Sequence, residues 1–356
     1  MQVCNSCRYC EGYCAVFPAM ELRRKFSNED LAYLANLCHN CRGCLYACPY
    51  APPHEFELNL PKIFAEVRMQ TYAEYAWPSG FGKAFEKNGV LISVLVAISL
   101  AGVFLLTSLA GTNVFLEKQV GPGAFYRVIS FRVMATTALV TFGYALLALF
   151  MGFLNFQRDA ARQLPRPKLA DVFRAIKDVL TLKNLGGGGH GCNDLDDSFS
   201  NSRRRFHHAL FYGFVLCSIS TSVAAVYDHF LNWVAPYPLL SLPVVFGTIG
   251  GIGMVVGCGG LFWLKLVGDQ TASAKNLLGS EVALLVLLAA SALTGILLLA
   301  FRSTAAMGGL LALHLGFILA LFITLPYSRF VHGVYRSAAL LSNAAERRTA
   351  VPVHLE

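Results

Sequence analysis

The sequence predicts an all-α protein, in which a helical two-cluster ferredoxin-like domain precedes a six-helix transmembrane bundle. Three observations predict it. Eight of the eleven cysteines fall within residues 4–48, in two copies of one spacing. Apolar runs of about twenty residues, the length a bilayer requires, recur from Gly89 onward. Hydrophobic residues make up 55% and charged residues 14% of the chain, well short of the quarter charged in soluble domains. A 356-residue chain has room for two or three domains. The expected divisions are a cluster domain over 1–60, a linker or interfacial segment over 61–88, a haem-binding bundle over 89–335 and a cytoplasmic tail over 336–356.

The amino-terminal domain rests on its thiols. Cys4, Cys7, Cys10 and Cys14 follow C-x2-C-x2-C-x3-C, and Cys38, Cys41, Cys44 and Cys48 repeat it. That run serves [4Fe–4S] clusters, with the fourth cysteine reaching across to the other cluster. Three thiolates on a tight turn reach three irons of one cube, and the last iron needs a ligand from elsewhere. The expected sets are therefore Cys4, Cys7, Cys10 and Cys48 for one cluster, and Cys38, Cys41, Cys44 and Cys14 for the other. Structural zinc takes four ligands, usually as two C-x2-C pairs, and fits evenly spaced triplets poorly. Pro49 follows the second motif, whereas Ala15 follows the first. Cys4 also occupies the place of a secretory signal's apolar core, so a reducing compartment is expected. Between the motifs Ser27 is a candidate N-cap, with acidic residues in the first turn and apolar periodicity at Leu31, Leu34, Ala35 and Cys38.

Six spanning helices are expected near 90–110, 130–154, 208–228, 240–265, 282–301 and 309–331. In the fourth, Gly247/Gly251 and Gly253/Gly257 recur at four-residue spacing, which suits close helix packing. The net charge of +8 does not point to nucleic acid, because the basic residues lie between the apolar runs. Of 29 lysines and arginines, 25 fall on the side of the cysteines, while Lys118, Arg127 and Arg302 lie opposite. The clusters are thus expected in the cytoplasm of a bacterial cell, on the inner membrane. The inner loop 155–206 contains "LADVFRAIKDVLTL", which reads as an amphipathic surface helix, and "GGGGHGCNDLDD", which reads as a mobile turn. Together they suggest a docking loop for a partner.

Histidines set the expectation for the membrane part, since a histidine inside a span is costly and points to function. His314 and His332 are 18 residues apart, five turns of one continuous helix, with about 27 Å between them. On the third helix, His207 or His208 would share a level with His332 near the cytoplasm, and His229 would share one with His314 near the outside. Facing imidazoles suit the axial positions of b-type haem: an inner one on His207 or His208 with His332, and a second on His229 with His314. Arg127, Arg132 and Arg302 are candidates for the outer haem's propionates. No C-x-x-C-H is present for covalent attachment.

The last helix, "HLGFILALFITLPYSRFVHGVYRS", resembles the closing helix of respiratory nitrate reductase gamma subunits, where two histidines at this separation each hold a b haem. Where that family carries a second histidine on the matching earlier helix, this chain has Cys217 and Ser218. "CNSCRYCEGYCAVFPAM", "LCHNCRGCLYACPYAPPHEF", "RRRFHHALFYGF", "APYPLLSLP" and "HGVYRSAALL" resemble, end to end, the tricarballylate-utilization B protein family, also called citrate-utilization B. The resemblance implies two [4Fe–4S] clusters and b haem in a membrane electron-transfer subunit. That subunit would reoxidise the FADH2 of a tricarballylate dehydrogenase-like partner, which makes cis-aconitate, and deliver the electrons to quinone. Two rival readings are the anchor of a nitrate- or heterodisulfide-reductase-like complex, and a membrane sensor or transporter. Helices four to six carry essentially no internal acids, which disfavours transport.

Overall fold

A computed structural model describes residues 1–86, 89–108, 116–273 and 278–350. The expected span end at 109–110, the linker's last two residues and the tail's last six lie outside them. Among the described residues every regular element is helical, apart from an isolated bridge between Cys192 and Ser200.

The cluster domain opens with α1 (Gln2–Cys7), α2 (Val16–Glu21), α3 (Asn28–Leu37) and α4 (Gly43–Tyr46). Ser27 caps α3 as expected: its hydroxyl accepts from the Asp30 N–H, and the Asp30 carboxylate accepts from the Ser27 N–H. The stretch expected as a linker forms α5 (Leu60–Tyr75) and α6 (Ser79–Glu86). α5 packs along α3, with Arg68 donating to the Ala35 and Cys38 carbonyls at 2.8 and 3.2 Å and Asn36 to Thr71 at 3.3 Å.

Helices stand at all six positions expected to span. They are α7 (Gly89–Ser108), α9 (Phe131–Arg158), α11 (Ser202–Leu231), α12 (Leu242–Val267), α13 (Leu278–Phe301) and α14 (Met307–Thr324), with the short α8 (Ala124–Val128) between the first two. Five are long and apolar enough to cross a bilayer; in α7 the apolar part, Leu91–Thr107, is shorter. Apolar side chains such as Leu139 and Phe150 point outward, as in a helix solvated by lipid. The chain is a multi-pass membrane protein. The glycines of α12 do what their spacing suggested. A Cβ on Gly257 would meet the Leu210 backbone at 2.5 Å, and one on Gly213 would meet the Gly250 carbonyl at 2.7 Å, so α11 and α12 are in backbone contact.

Two expectations need correction. The sixth helix does not continue through His332. It ends at Thr324, turns over 325–330, and the chain restarts as α15 (Val331–Thr349). Pro326 has no N–H for the ladder and restricts the residue before it, so the helix stops there. His314 and His332 therefore do not lie five turns apart on one face. Nor does 336–350 trail as a tail: α15 lies against the cluster domain. Glu346 accepts from Arg23 at 2.8 Å and from the Tyr33 hydroxyl at 3.0 Å. Phe17, Tyr33, Leu34 and Phe64 share one core with Phe156 of α9 and Tyr335 of α15, so cluster domain and bundle are packed as one unit.

Candidate redox sites

The two cysteine motifs fold by the same device. Cys4 and Cys7 lie in α1, which closes at Arg8 with a left-handed φ of 53°; in the second motif Arg42, also just after the second cysteine, has φ 68°. A left-handed residue turns the chain sharply, so the third cysteine of each motif folds back beside the first two.

Cys4, Cys7, Cys10 and Cys48 line one pocket that Cys44 also reaches, with Arg8, Tyr9 and Phe17 among its other walls. Burial, then the neighbouring thiols of Cys48, Cys4 and Cys7, push the Cys10 thiol up to about 12. Burial, then Cys14, Cys38 and Cys41, push Cys44 well above the usual thiol range. A thiol from the other motif acts on each group, Cys48 on Cys10 and Cys14 on Cys44. The groups adjoin where the Cys10 sulfur lies 3.9 Å from the Cys44 carbonyl oxygen. Sulfurs crowded out of water cannot ionise together unless a metal supplies positive charge. Among the described residues no three donor side chains converge on a single-ion position. Evenly spaced triplets with a fourth thiol from the other motif suit a cube, whose irons each take one cysteine, better than one zinc ion.

The second group is the more enclosed, with Cys38 and Cys41 buried while Cys7 is exposed. Its cover comes from loop 155–206. After α10 (Leu169–Leu180), a 3₁₀ stretch (Lys183–Gly189) runs over Cys41. A Cβ on Gly187, where φ is +49°, would lie 3.7 Å from the Cys41 sulfur. The Asn193 N–H donates to the Cys41 carbonyl at 2.9 Å, Arg42 to the Asp194 carbonyl at 2.9 Å, and Arg203 to the Asn40 carbonyl at 2.6 Å. The glycines expected to form a mobile turn instead allow backbone to lie against a cysteine. Cys192 packs there too, its thiol donating to the Leu185 carbonyl at 3.0 Å.

Of the five histidines, one pair meets. His207 on α11 and His332 on α15 have ring centroids 6.0 Å apart and planes at 84°. The His332 Nδ1–H donates to the Arg329 carbonyl at 2.5 Å, which leaves the Nε2 lone pair free. Burial, then Arg336 and His207, lower His332 to about 3, so it is the neutral imidazole a metal needs. The His207 Nδ1 is buried without a partner. A 6.0 Å separation leaves room for two metal–nitrogen bonds of about 2 Å each. His208 is not in the pair; it lies 5.8 Å from the Tyr212 ring.

The outer pair is not brought together. His314 contacts the Ser291 carbonyl and the Thr294 hydroxyl, both at 3.1 Å, and His229 packs against Phe131 with centroids 5.1 Å apart. Two arginines suggested for outer propionates have other partners: Arg127 donates to Gln119 and to the Val120 carbonyl, and Arg302 to the Tyr237 carbonyl.

Comparison with known proteins finds two family models along the chain. A family model described as Citrate utilization protein B matches residues 86–353, and one described as Citrate utilization protein B Fer4-like domain matches residues 1–74. The Citrate utilization protein B of Escherichia coli is 48% identical over 349 residues, which cover 98% of this chain and 91% of that protein. No solved structure matches.

Proposed function

The chain belongs to the Citrate utilization protein B family, and from that premise we propose that it moves electrons from a reduced flavoprotein to quinone in the bilayer. A Fer4-like domain joined to spanning helices makes it a membrane-linked iron–sulfur electron carrier. The donor in this reading is the FADH2 of a tricarballylate dehydrogenase-like partner in the cytoplasm, and the membrane is the bacterial inner membrane. The sidedness of the basic residues supports that orientation.

The observation that carries the reading is position. The His207/His332 pair stands at the cysteine end of the bundle, on two helices that are both fastened to the cluster domain, Arg203 to Asn40 and Glu346 to Arg23. When bound, two [4Fe–4S] clusters and a b haem would supply the one-electron carriers that join flavin to quinone. The remaining roles fall to the protein. Cys7 and Tyr9, both exposed, form the rim a partner would meet. The glycine stretch over Cys41 keeps water from the inner set. The Arg329 carbonyl fixes the His332 ring beside His207 and leaves its Nε2 free of that contact.

The decisive variant is His332→Ala in purified protein. It is expected to lose haem and quinone reduction while keeping cluster iron. Haem content and quinone reduction left at the unaltered level would remove the histidine pair from the path. A Cys41→Ala protein that still passed electrons from flavin to quinone would remove the clusters as the entry.

A further inference from the structure

Two arginines repeat the arrangement of the histidine pair. Arg203 precedes His207 by four residues on α11, and Arg336 follows His332 by four on α15. Residues four apart share a helix face. Because α11 enters the bundle and α15 leaves it, both arginines stand one turn to the cysteine side of their histidines. Arg203 is fixed by the Asn40 carbonyl at 2.6 Å and faces Asp194 at 3.8 Å. Arg336 makes no hydrogen bond or ion pair among the described residues, and its Nε is buried and unpartnered. Burial, with Arg68 and Arg203 nearby, pushes its guanidinium down to about 10. A half-buried cation with other cations nearby is stabilised when a counter-charge arrives.

We propose that Arg203 and Arg336 form a carboxylate-binding site that takes the propionates of a b haem held between His207 and His332. This rests on the haem reading above. Arginine suits the task because its fork pairs two donors with one carboxylate.

The test compares two porphyrins on full-length, haem-free protein: haem, and its dimethyl ester, whose propionates are capped. Charged hydrogen bonds of this kind predict that unaltered protein binds haem about ten- to a hundredfold tighter than the ester. In Arg336→Gln and in Arg203→Gln that ratio is expected to fall toward one. Equal affinity of the unaltered protein for both porphyrins overturns the site without any variant, and so does a ratio the variants leave unchanged. Failure of the unaltered protein to bind either porphyrin sinks the haem reading itself, and the site with it. The three results are distinguishable.

A second inference comes from α10 and needs no cofactor. Leu169, Phe173, Ile176 and Leu180 are 71, 64, 48 and 43% exposed, and at about 100° per residue they share an arc of about 60°. Asp171 and Ala175, turned toward the protein, are buried, while Lys177 and Arg174 on the remaining side are exposed. The helix packs beside the start of α11's apolar stretch, where the Tyr212 hydroxyl donates to the Leu180 carbonyl at 2.7 Å. A helix with one packed, one greasy and one basic side belongs at a lipid–water boundary. The structure assigns α10 to the bilayer surface, with its apolar arc among acyl chains and its cations toward anionic headgroups.

Nitroxide labels on Phe173→Cys and Arg174→Cys, in full-length protein in nanodiscs of phosphatidylglycerol and phosphatidylethanolamine, read this directly. Oxygen in the lipid should reach position 173 and a water-soluble nickel chelate position 174. Equal access of the chelate to both positions would show an apolar face standing in water, as a protein-docking surface does, and would overturn the assignment.

Discussion

The two cysteine groups have the same spacing and the same turn, yet they live in different surroundings. The first looks outward: Cys7 is exposed and its cavity is walled by local residues. The second is closed in by segments from far along the chain, with Gly187 and Asn193 over Cys41, Arg203 on Asn40 and Arg68 on Cys38. The difference separates what a motif specifies from what a fold adds. Spacing chooses the metal, while the surroundings decide which cluster meets solvent and which is kept dry beside a field of arginines. Positive charge favours the more negative, reduced form, so in the proposed path a cluster on the inner set would be the second station.

Five substitutions sharpen or break that contrast. The largest effect belongs to the ligands. Cys7→Ala should remove the outer cluster and Cys41→Ala the inner one, each lowering cluster iron and acid-labile sulfide by about half. If both variants lost all iron, the groups would be one cooperative unit and the contrast would fail. Next comes Arg23→Ala, which strands Glu346 in a site where both side chains are nearly buried. Removing one partner of a buried pair costs about 3–5 kcal/mol, read as a lowered midpoint of thermal unfolding. Gly191→Ala should be milder: φ is +122° and a Cβ would meet the Ser200 carbonyl oxygen at 2.7 Å. At about 1–3 kcal/mol of strain, it should speed loss of the inner cluster's signal on warming and leave the outer signal alone. Smallest is Ser27→Ala, worth about 1 kcal/mol of the cap on α3, whose last turn leads into Cys38. An outer cluster that suffered equally from these last two changes would show that the enclosure is shared.

Much of this was legible in the sequence because the signals are local. Hydropathy placed all six apolar helices, with the largest errors at the start of the third, six residues early, and the end of the sixth, seven residues short. The cysteine spacing showed two matching motifs whose fourth thiols could cross over, and Ser27 was readable as a cap. What was hidden depends on contacts between distant segments. His207 and His208 are neighbours about 100° apart on one helix, so only the packing of α15 decides which one meets His332. The apolar pattern runs through Leu325 and on to Val331, which masked the break that Pro326 makes. Nothing in "GGGGHGC" announces that it lies on a cysteine some 150 positions earlier. The four-residue spacing of Arg203 from His207 and of Arg336 from His332 was on the page, but has meaning only once the two helices converge.

The closing helix carries a last implication. His332 sits in its opening turn and Glu346 near its far end, with roughly 21 Å of rigid rod between them. The gap between an imidazole at the bilayer and the fastening on the iron-bearing domain is therefore written in residues, as on a ruler. One amino acid inserted into that rod would lengthen it by about 1.5 Å and rotate one end against the other by about 100°. Either the imidazole or the carboxylate would then face the wrong way, so evolution can retune this gap only in whole turns.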